Sequence, residues 1–142
     1  KNSIYICSQY MNSDRLFLSI SILGVAIGIL FGAFGAHTLK DLFSNYEMDI
    51  WNKGIFYQII NSLGIMILLI LRKNNFIKKT NSPFYFLIFG IIFFSFSLYA
   101  ISLTNVFLSS EHWLKTLMIP VTPLGGSLII LGWVLTILKI NK

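Results

Sequence analysis

Charged side chains are scarce in this sequence. Of its 142 residues only 11% are Asp, Glu, Lys or Arg, whereas about 25% is usual for a soluble chain. A domain of this size cannot cover its surface with so few polar groups, and its mean hydropathy is +0.77. The composition therefore excludes an ordinary water-soluble domain and indicates a membrane protein.

Cysteine occurs once, at Cys7, which excludes an internal disulfide and a cysteine-cluster metal site. There is no recognisable Ser/His/Asp set, and a lone cysteine near a terminus does not indicate catalysis. The candidates for a metal site are His37 and His112 with Asp41 and Glu111. Their spacing carries no local motif. We therefore expect no enzyme activity, no metal and no cofactor.

Four long stretches carry no charged residue. They cover residues 16–36, 54–71, 84–108 and 119–138, and each approaches the roughly 20 apolar residues that cross a bilayer. Backbone in lipid must satisfy its own hydrogen bonds, so the stretches are predicted to be helices. We predict an all-α membrane protein with one four-helix bundle over residues 16–138. Residues 1–15 would be an N-terminal extension and 139–142 a short tail.

The first stretch has an alternative interpretation as a secretory signal, with cleavage near Ala33 to Gly35. The apolar core of a signal peptide runs about 7–15 residues. Residues 16–36 exceed that length without a charge, which favours a helix that stays in the membrane.

Lysine and arginine are distributed unevenly between the two sides. With four spans, both termini and the middle loop share one side, which holds eight basic residues against three on the other. The positive-inside rule then predicts that both termini are cytoplasmic. Because the basic residues lie in short loops beside apolar blocks, they indicate anionic lipid headgroups and not nucleic acid. The predicted lipid contacts are Arg72, Lys73, Lys78 and Lys79.

Glycine recurs at every fourth residue of the first span. Gly24, Gly28 and Gly32, continued by Ala36, fall on one stripe of a helix. Small residues let helices approach closely, which is the main route to association in lipid. We predict helix packing along this stripe, within the bundle or between subunits, and not a cradle for a cofactor.

Polar side chains recur at helical spacing inside two other spans. Polar groups in hydrocarbon need partners, so these faces are predicted to point inward and to bond with each other. A path for a solute or an ion is the alternative. The residues are Gln58, Asn61 and Ser62 on the second span, and Ser95, Tyr99 and Ser102 on the third.

The fourth span begins with two prolines. Thr122 before Pro123 predicts an N-cap followed by proline at the first helical position, and Pro120 disfavours a helix that continues from earlier residues. A helix over 123–138 would be about 24 Å long, short of the roughly 30 Å hydrocarbon core. We predict a capped helix start at the membrane interface, with Gly125 and Gly126 in the first turn. The alternative is that residues 118–122 enter the membrane as non-helical backbone, whose free amides at the helix N-terminus could hold an anion.

The segment between the first two spans, residues 38–52, mixes apolar with charged side chains. This mixture predicts a short amphipathic segment along the outer membrane interface.

Four sequence blocks occur in the order and spacing of a known family. They are "GAFGAHTLK" at 32–40, "YQ" at 57–58, "FSFSLY" at 94–99 and "TPLGGSLIILGW" at 122–133. The chain thereby resembles the YgdD-like family of small membrane proteins, called domain of unknown function 423 and related to transmembrane protein 256. The resemblance implies a four-helix protein, located in bacteria in the inner membrane, with no established activity. In that family a histidine is typical where Asn61 stands, and a glycine where Phe96 stands.

Two functions are compatible with these features. The first is a non-enzymatic membrane protein that acts by interaction or assembly, with a second copy or another membrane protein as partner. The alternative is a small oligomeric transporter or channel for a small solute, built on the two polar faces.

Overall fold

A computed structural model describes residues 2–108 and 113–141, with the side chains of 12–108 and 113–141. Four long α-helices make up the fold: α1 at Asn2–Phe34, α2 at Asn45–Lys73, α3 at Ser82–Phe107 and α4 at Trp113–Ile137. Each contains a segment long and apolar enough to cross a membrane. The predicted all-α, four-span architecture is therefore confirmed.

The helices run back and forth, so the bundle has two ends. At one end the loop after α2 joins the tail after α4 through an antiparallel bridge between Ile77 and Ile140. There the Lys78 N–H donates to the Lys139 carbonyl at 2.8 Å. We call this the terminal end. The opposite end, which carries the α1–α2 connection, is the distal end.

Two helices form the centre of the bundle and two lie at its edges. α2 packs against α1 and α3, and α3 packs against α4. The most apolar stretches of α2 and α3 are 44% and 50% buried, whereas those of α1 and α4 are each 17% buried. The outer faces of α1 and α4 are therefore the largest apolar surfaces left for the membrane or a partner.

The α1–α2 connection differs in detail from the predicted amphipathic segment. α1 passes into a π-helical turn at Gly35–Leu39. α2 then begins at Asn45, because Ser44 and Glu47 form a reciprocal capping box. Trp51, in the second turn of α2, is only 2% exposed. Residues 38–52 are thus a turn, a loop and the start of α2, which begins nine residues before the predicted span.

The start of α4 also differs from the prediction. The helix begins at Trp113 and continues through Pro120 and Pro123. The predicted N-cap at Thr122, the helix start at Pro123 and the first-turn position of Gly125 and Gly126 were therefore wrong, as was the alternative of non-helical backbone at 118–122. Prolines are tolerated in membrane helices where neighbouring helices and Ser or Thr side chains satisfy the disturbed backbone. Beside the prolines, the Thr122 hydroxyl bonds the Met118 carbonyl at 3.3 Å and the Ser97 hydroxyl of α3 at 2.8 Å, which links this part of α4 to α3.

The residues predicted as an N-terminal extension are helical from Asn2 onward. α1 runs from Asn2 into the first span without interruption, so residues 2–15 continue the same helix. Its membrane-spanning portion begins at Asn12.

Candidate functional site

A chain of hydrogen bonds joins three helices near the middle of the bundle. The Tyr99 hydroxyl of α3 donates to Gln58 Oε1 of α2 at 3.0 Å. Gln58 Nε2 donates to the Gly24 carbonyl of α1 at 2.7 Å. Beside them the Ser95 hydroxyl donates to the Gly54 carbonyl at 2.9 Å. The amide of Gln58 is thereby satisfied on both sides by the protein itself.

The side chain of Asn61 points toward α4. Its Nδ2 donates to the Tyr57 carbonyl one turn earlier at 2.8 Å, and its Oδ1 accepts from Trp133 Nε1 at 2.9 Å. Nearer the distal end, the Ser102 hydroxyl of α3 donates to the Glu47 carbonyl at 3.1 Å. Of the six polar residues singled out in the second and third spans, only Ser62 makes no hydrogen bond between helices among the described residues.

The glycine stripe of α1 contacts α2 along only part of its length. A Cβ added at Gly24 would lie 2.5 Å from the Ser62 hydroxyl oxygen, and one at Gly28 would lie 2.5 Å from Ile59 Cγ1. At Gly32 an added Cβ would meet nothing within 4 Å. Ala36 is exposed. The first two glycines therefore pack α1 on α2, and the last two small residues leave open space.

α3 and α4 make a closer helix contact, which the sequence analysis did not predict. A Cβ at Gly125 would lie 2.3 Å from the backbone nitrogen of Phe94, and one at Gly90 would lie 2.7 Å from that of Ile129. Gly132, two turns after Gly125, packs on Leu87 in the same way. This seven-residue spacing was a usable signal, since two full turns return to the same helix face.

A lateral window opens between α1 and α3, with α2 as its floor. Its volume is about 390 Å³. It is lined mainly by apolar side chains, with Gln58, Ser62 and Ser95 among its polar lining residues. The walls include Ile20 and Ile27 of α1 and Ile92 of α3.

Aromatic contacts between α1 and α3 lie near both ends of the window. Phe17 stacks on Phe84 with ring centroids 5.0 Å apart and meets the Tyr85 ring edge-on at 5.2 Å. Toward the distal end Phe31 meets Tyr99 edge-on at 4.9 Å. A second apolar cavity of about 490 Å³ lies beyond this pair.

The histidines do not assemble a metal centre in the described structure. His37 lies exposed in the π-helical turn, and His112 and Glu111 lie outside the described residues. Within 2–108 and 113–141, no group of three or more His, Cys, Asp or Glu side chains could hold a metal ion.

The sequence matches the model of a known protein family. The model of a family described as "Protein of unknown function (DUF423)" matches residues 31–126, which is more than half of the chain. The chain belongs to the DUF423 family.

Curated relatives of this DUF423 protein are bacterial membrane proteins. A UPF0382 membrane protein of Staphylococcus epidermidis is 34% identical over 128 residues, covering 90% of this chain and 97% of that protein. The UPF0382 membrane protein YwdK of Bacillus subtilis is 26% identical over 129 residues, covering 90% of this chain and 98% of YwdK. No solved structure matches. The protein is thus a membrane protein of an uncharacterised family.

The segment that matches the family, residues 31–126, contains Gln58 and Tyr99, which bond α2 to α3. It also contains Gly125, the first of the α4 glycines that pack on α3. It begins after Gly24 and Gly28. The α1 wall of the lateral window therefore lies largely outside the matched segment, whereas the α2 floor and the α3 wall lie inside it.

A buried arginine at the terminal end is a further feature that the sequence did not reveal. Arg72 is only 2% exposed. Its guanidinium pairs with Asp14 of α1, bonds the Thr80 carbonyl at 2.9 Å and lies 4.1 Å from the centroid of the Phe84 ring. Arg72 was predicted to contact lipid headgroups, but this geometry directs its charge into the protein. Lys73, Lys78 and Lys79 are exposed.

Proposed function

We propose that this membrane protein acts by non-covalent association with another membrane protein, in assembly or maintenance of the cell envelope, without catalysis. The observation that carries the proposal is the use of the intramembrane polar side chains. Gln58, Ser95 and Tyr99 bond to other helices of the same chain, so they act as structural links. This arrangement fixes the relative positions of three helices and presents an apolar exterior.

The docking surface we propose is the open side of α1 around Gly32. An added Cβ there meets nothing within 4 Å, and α1 is among the least buried of the helices. A partner helix can approach a glycine backbone closely, which is how helices gain contact energy in lipid. A second copy of the chain and a different membrane protein are both suitable partners.

The proposed location is the bacterial plasma membrane, since the relatives reported above come from bacteria. Exposed Lys73, Lys78 and Lys79 at the terminal end are proposed contacts for anionic headgroups on its cytoplasmic face.

A photoreactive amino acid placed at Gly32 tests the association. The position tolerates a large side chain because it faces open space. Irradiation of native membranes should give an adduct with a protein partner or with a second copy. The same photoreactive residue at Ile130, which is 64% exposed on α4, should give none. Absence of any protein adduct at Gly32, or equal adducts at both positions, would contradict the proposal.

Transport of a small solute has less support, because the polar faces bond to each other. Its test is direct. If the protein conducts a solute through liposomes and Asn61→Leu abolishes that flux, transport replaces association as the function. Unchanged flux for every solute tested would remove the alternative.

A further inference from the structure

The lateral window has the height of a lipid chain and is bounded at both ends. The window lies between Phe17 and Phe31 of α1, and its lining there runs from Ile20 to Phe31, about 17 Å at 1.5 Å per residue. Both phenylalanines contact aromatic rings of α3. Between these contacts α1 and α3 are separated, and the cavity reaches α2. A space of this shape, open to the bilayer at its side, admits one elongated apolar molecule.

Ser62 is the unusual residue of the window floor. It is only 2% exposed, and its hydroxyl has no hydrogen-bond partner among the residues that the structure describes. The other polar groups that line the window are all bonded. Gln58 bonds the Gly24 carbonyl, Ser95 the Gly54 carbonyl and Ser21 the Phe17 carbonyl. Buried hydroxyls are normally paired, so the Ser62 hydroxyl is available to a ligand in the window.

The depth of Ser62 restricts the chemistry of that ligand. Along α2 it lies about 16 Å from Lys73 and about 25 Å from Asn45, which places it well inside the hydrocarbon core. A charged group at this depth is strongly disfavoured. A phospholipid held with its headgroup at the interface has no polar atom at this level. The ligand atom that meets Ser62 must therefore belong to an uncharged group.

The remainder of the window supplies apolar contact only. Its walls are formed largely by isoleucine and phenylalanine, and its lining contains no charged residue. We propose that the window binds an uncharged long-chain lipid, whose one hydroxyl or carbonyl oxygen bonds Ser62. Its chain lies between the two aromatic pairs. The window and the open side at Gly32 are separate surfaces, so this site does not depend on a protein partner.

Photolabelling of the purified protein in nanodiscs tests the proposal. The probe is hexadecanol that carries a diazirine in its chain. Two comparison probes have the same diazirine chain, one as an alkane without the hydroxyl and one as part of phosphatidylcholine. Adducts are located by mass spectrometry. The alcohol should label the window residues of α1 and α3 about tenfold more than the alkane, the ratio expected for one additional hydrogen bond.

Two variants distinguish the contribution of the Ser62 hydroxyl to labelling from the contribution of the cavity. Ser62→Ala breaks no hydrogen bond of the described protein and should lower labelling by the alcohol to the level of the alkane. Ile92→Trp, at a wall position that is 50% exposed, should fill the window and abolish labelling by both probes. Ile130→Trp on α4, a position 64% exposed, is the matched control and should leave labelling unchanged. Thermal unfolding of each variant verifies that the fold is intact.

Three results would overturn the proposal. They are equal labelling by the alcohol and the alkane, labelling by phosphatidylcholine at the level of the alcohol, and unchanged labelling by the alcohol in Ser62→Ala. Each would assign the window to bulk lipid chains. The adduct at Gly32 is measured separately, so either outcome of that experiment leaves this one interpretable.

Discussion

Trp133 of α4 donates its indole N–H to the side-chain oxygen of Asn61 on α2, 2.9 Å away. α4 packs mainly on α3, so this bond links the edge helix to the second central helix. A Cβ added at Gly64, one turn after Asn61, would lie 2.7 Å from Cζ2 of the same indole. Asn61 and Gly64 together therefore hold the Trp133 ring in place.

A double-mutant cycle on this pair should detect their coupling. Asn61→Leu and Trp133→Phe each remove one partner, and the double variant should be less destabilised than the sum of the two. We expect a coupling free energy of about 1 kcal/mol, typical of hydrogen bonds between membrane helices. Reversible unfolding in detergent measures it. Strict additivity would show that the bond contributes nothing to stability.

The α3–α4 contact should tolerate no side chain at Gly125. Gly125→Ala forces a methyl group against the Phe94 backbone, which cannot rotate away. We expect a loss of about 1–3 kcal/mol in the free energy of unfolding, as for other overpacked sites. Gly126→Ala is the matched control, because a Cβ there makes ordinary contacts at 3.6 Å. If Gly126→Ala lowered the free energy of unfolding as much as Gly125→Ala, the close α3–α4 contact would not explain the loss.

The buried arginine should matter more than the lysine beside it. Arg72→Gln removes a charge that pairs with Asp14 and bonds two groups of the loop after α2. Hydrogen bonds to charged groups contribute about 1.5–3 kcal/mol each, so we expect a loss of about 2 kcal/mol. Lys73→Gln, at an exposed position, should change stability little. Equal effects in thermal unfolding would contradict a structural role for Arg72.

The orientation of the bundle is accessible to thiol labelling. In a Cys7→Ser background, Lys78→Cys lies at the terminal end and Lys40→Cys at the distal end. The bias of basic residues predicts a cytoplasmic terminal end. A membrane-impermeant maleimide added to intact cells should therefore label position 40, and label position 78 only after permeabilisation. The reverse pattern would show that the orientation is inverted.

Hydropathy was sufficient to predict that the four helices exist, but it located their ends less accurately. The third span, predicted at 84–108, is α3 at Ser82–Phe107. α2 starts earlier than predicted because a polar capping box precedes its apolar part. α4 starts earlier because the helix continues through both prolines, where Thr122 bonds it to Ser97 of its neighbour α3. The first error arises from a local side-chain cap and the second from packing between helices, and apolar length reports neither.

Helical spacing identified the polar faces, but it could not pair them. Gln58 and Tyr99 were both expected to point inward, and they bond each other. The choice of Trp133 as the partner of Asn61, and of the Glu47 carbonyl as the acceptor for Ser102, depends on how each helix is rotated about its axis. That rotation is set by tertiary packing, including the contacts at Gly90, Gly125 and Gly132.

Residues from both the beginning and the end of the chain hold the loop between α2 and α3. Upstream, Asp14 reaches the Arg72 side chain; downstream, the Asn141 N–H donates to the Phe76 carbonyl at 2.9 Å. The last of these links cannot form until residue 141 has left the ribosome and α4 has entered the bilayer. Before that point the contacts made by Arg72, with Asp14 on one side and the loop on the other, hold this segment against the bundle.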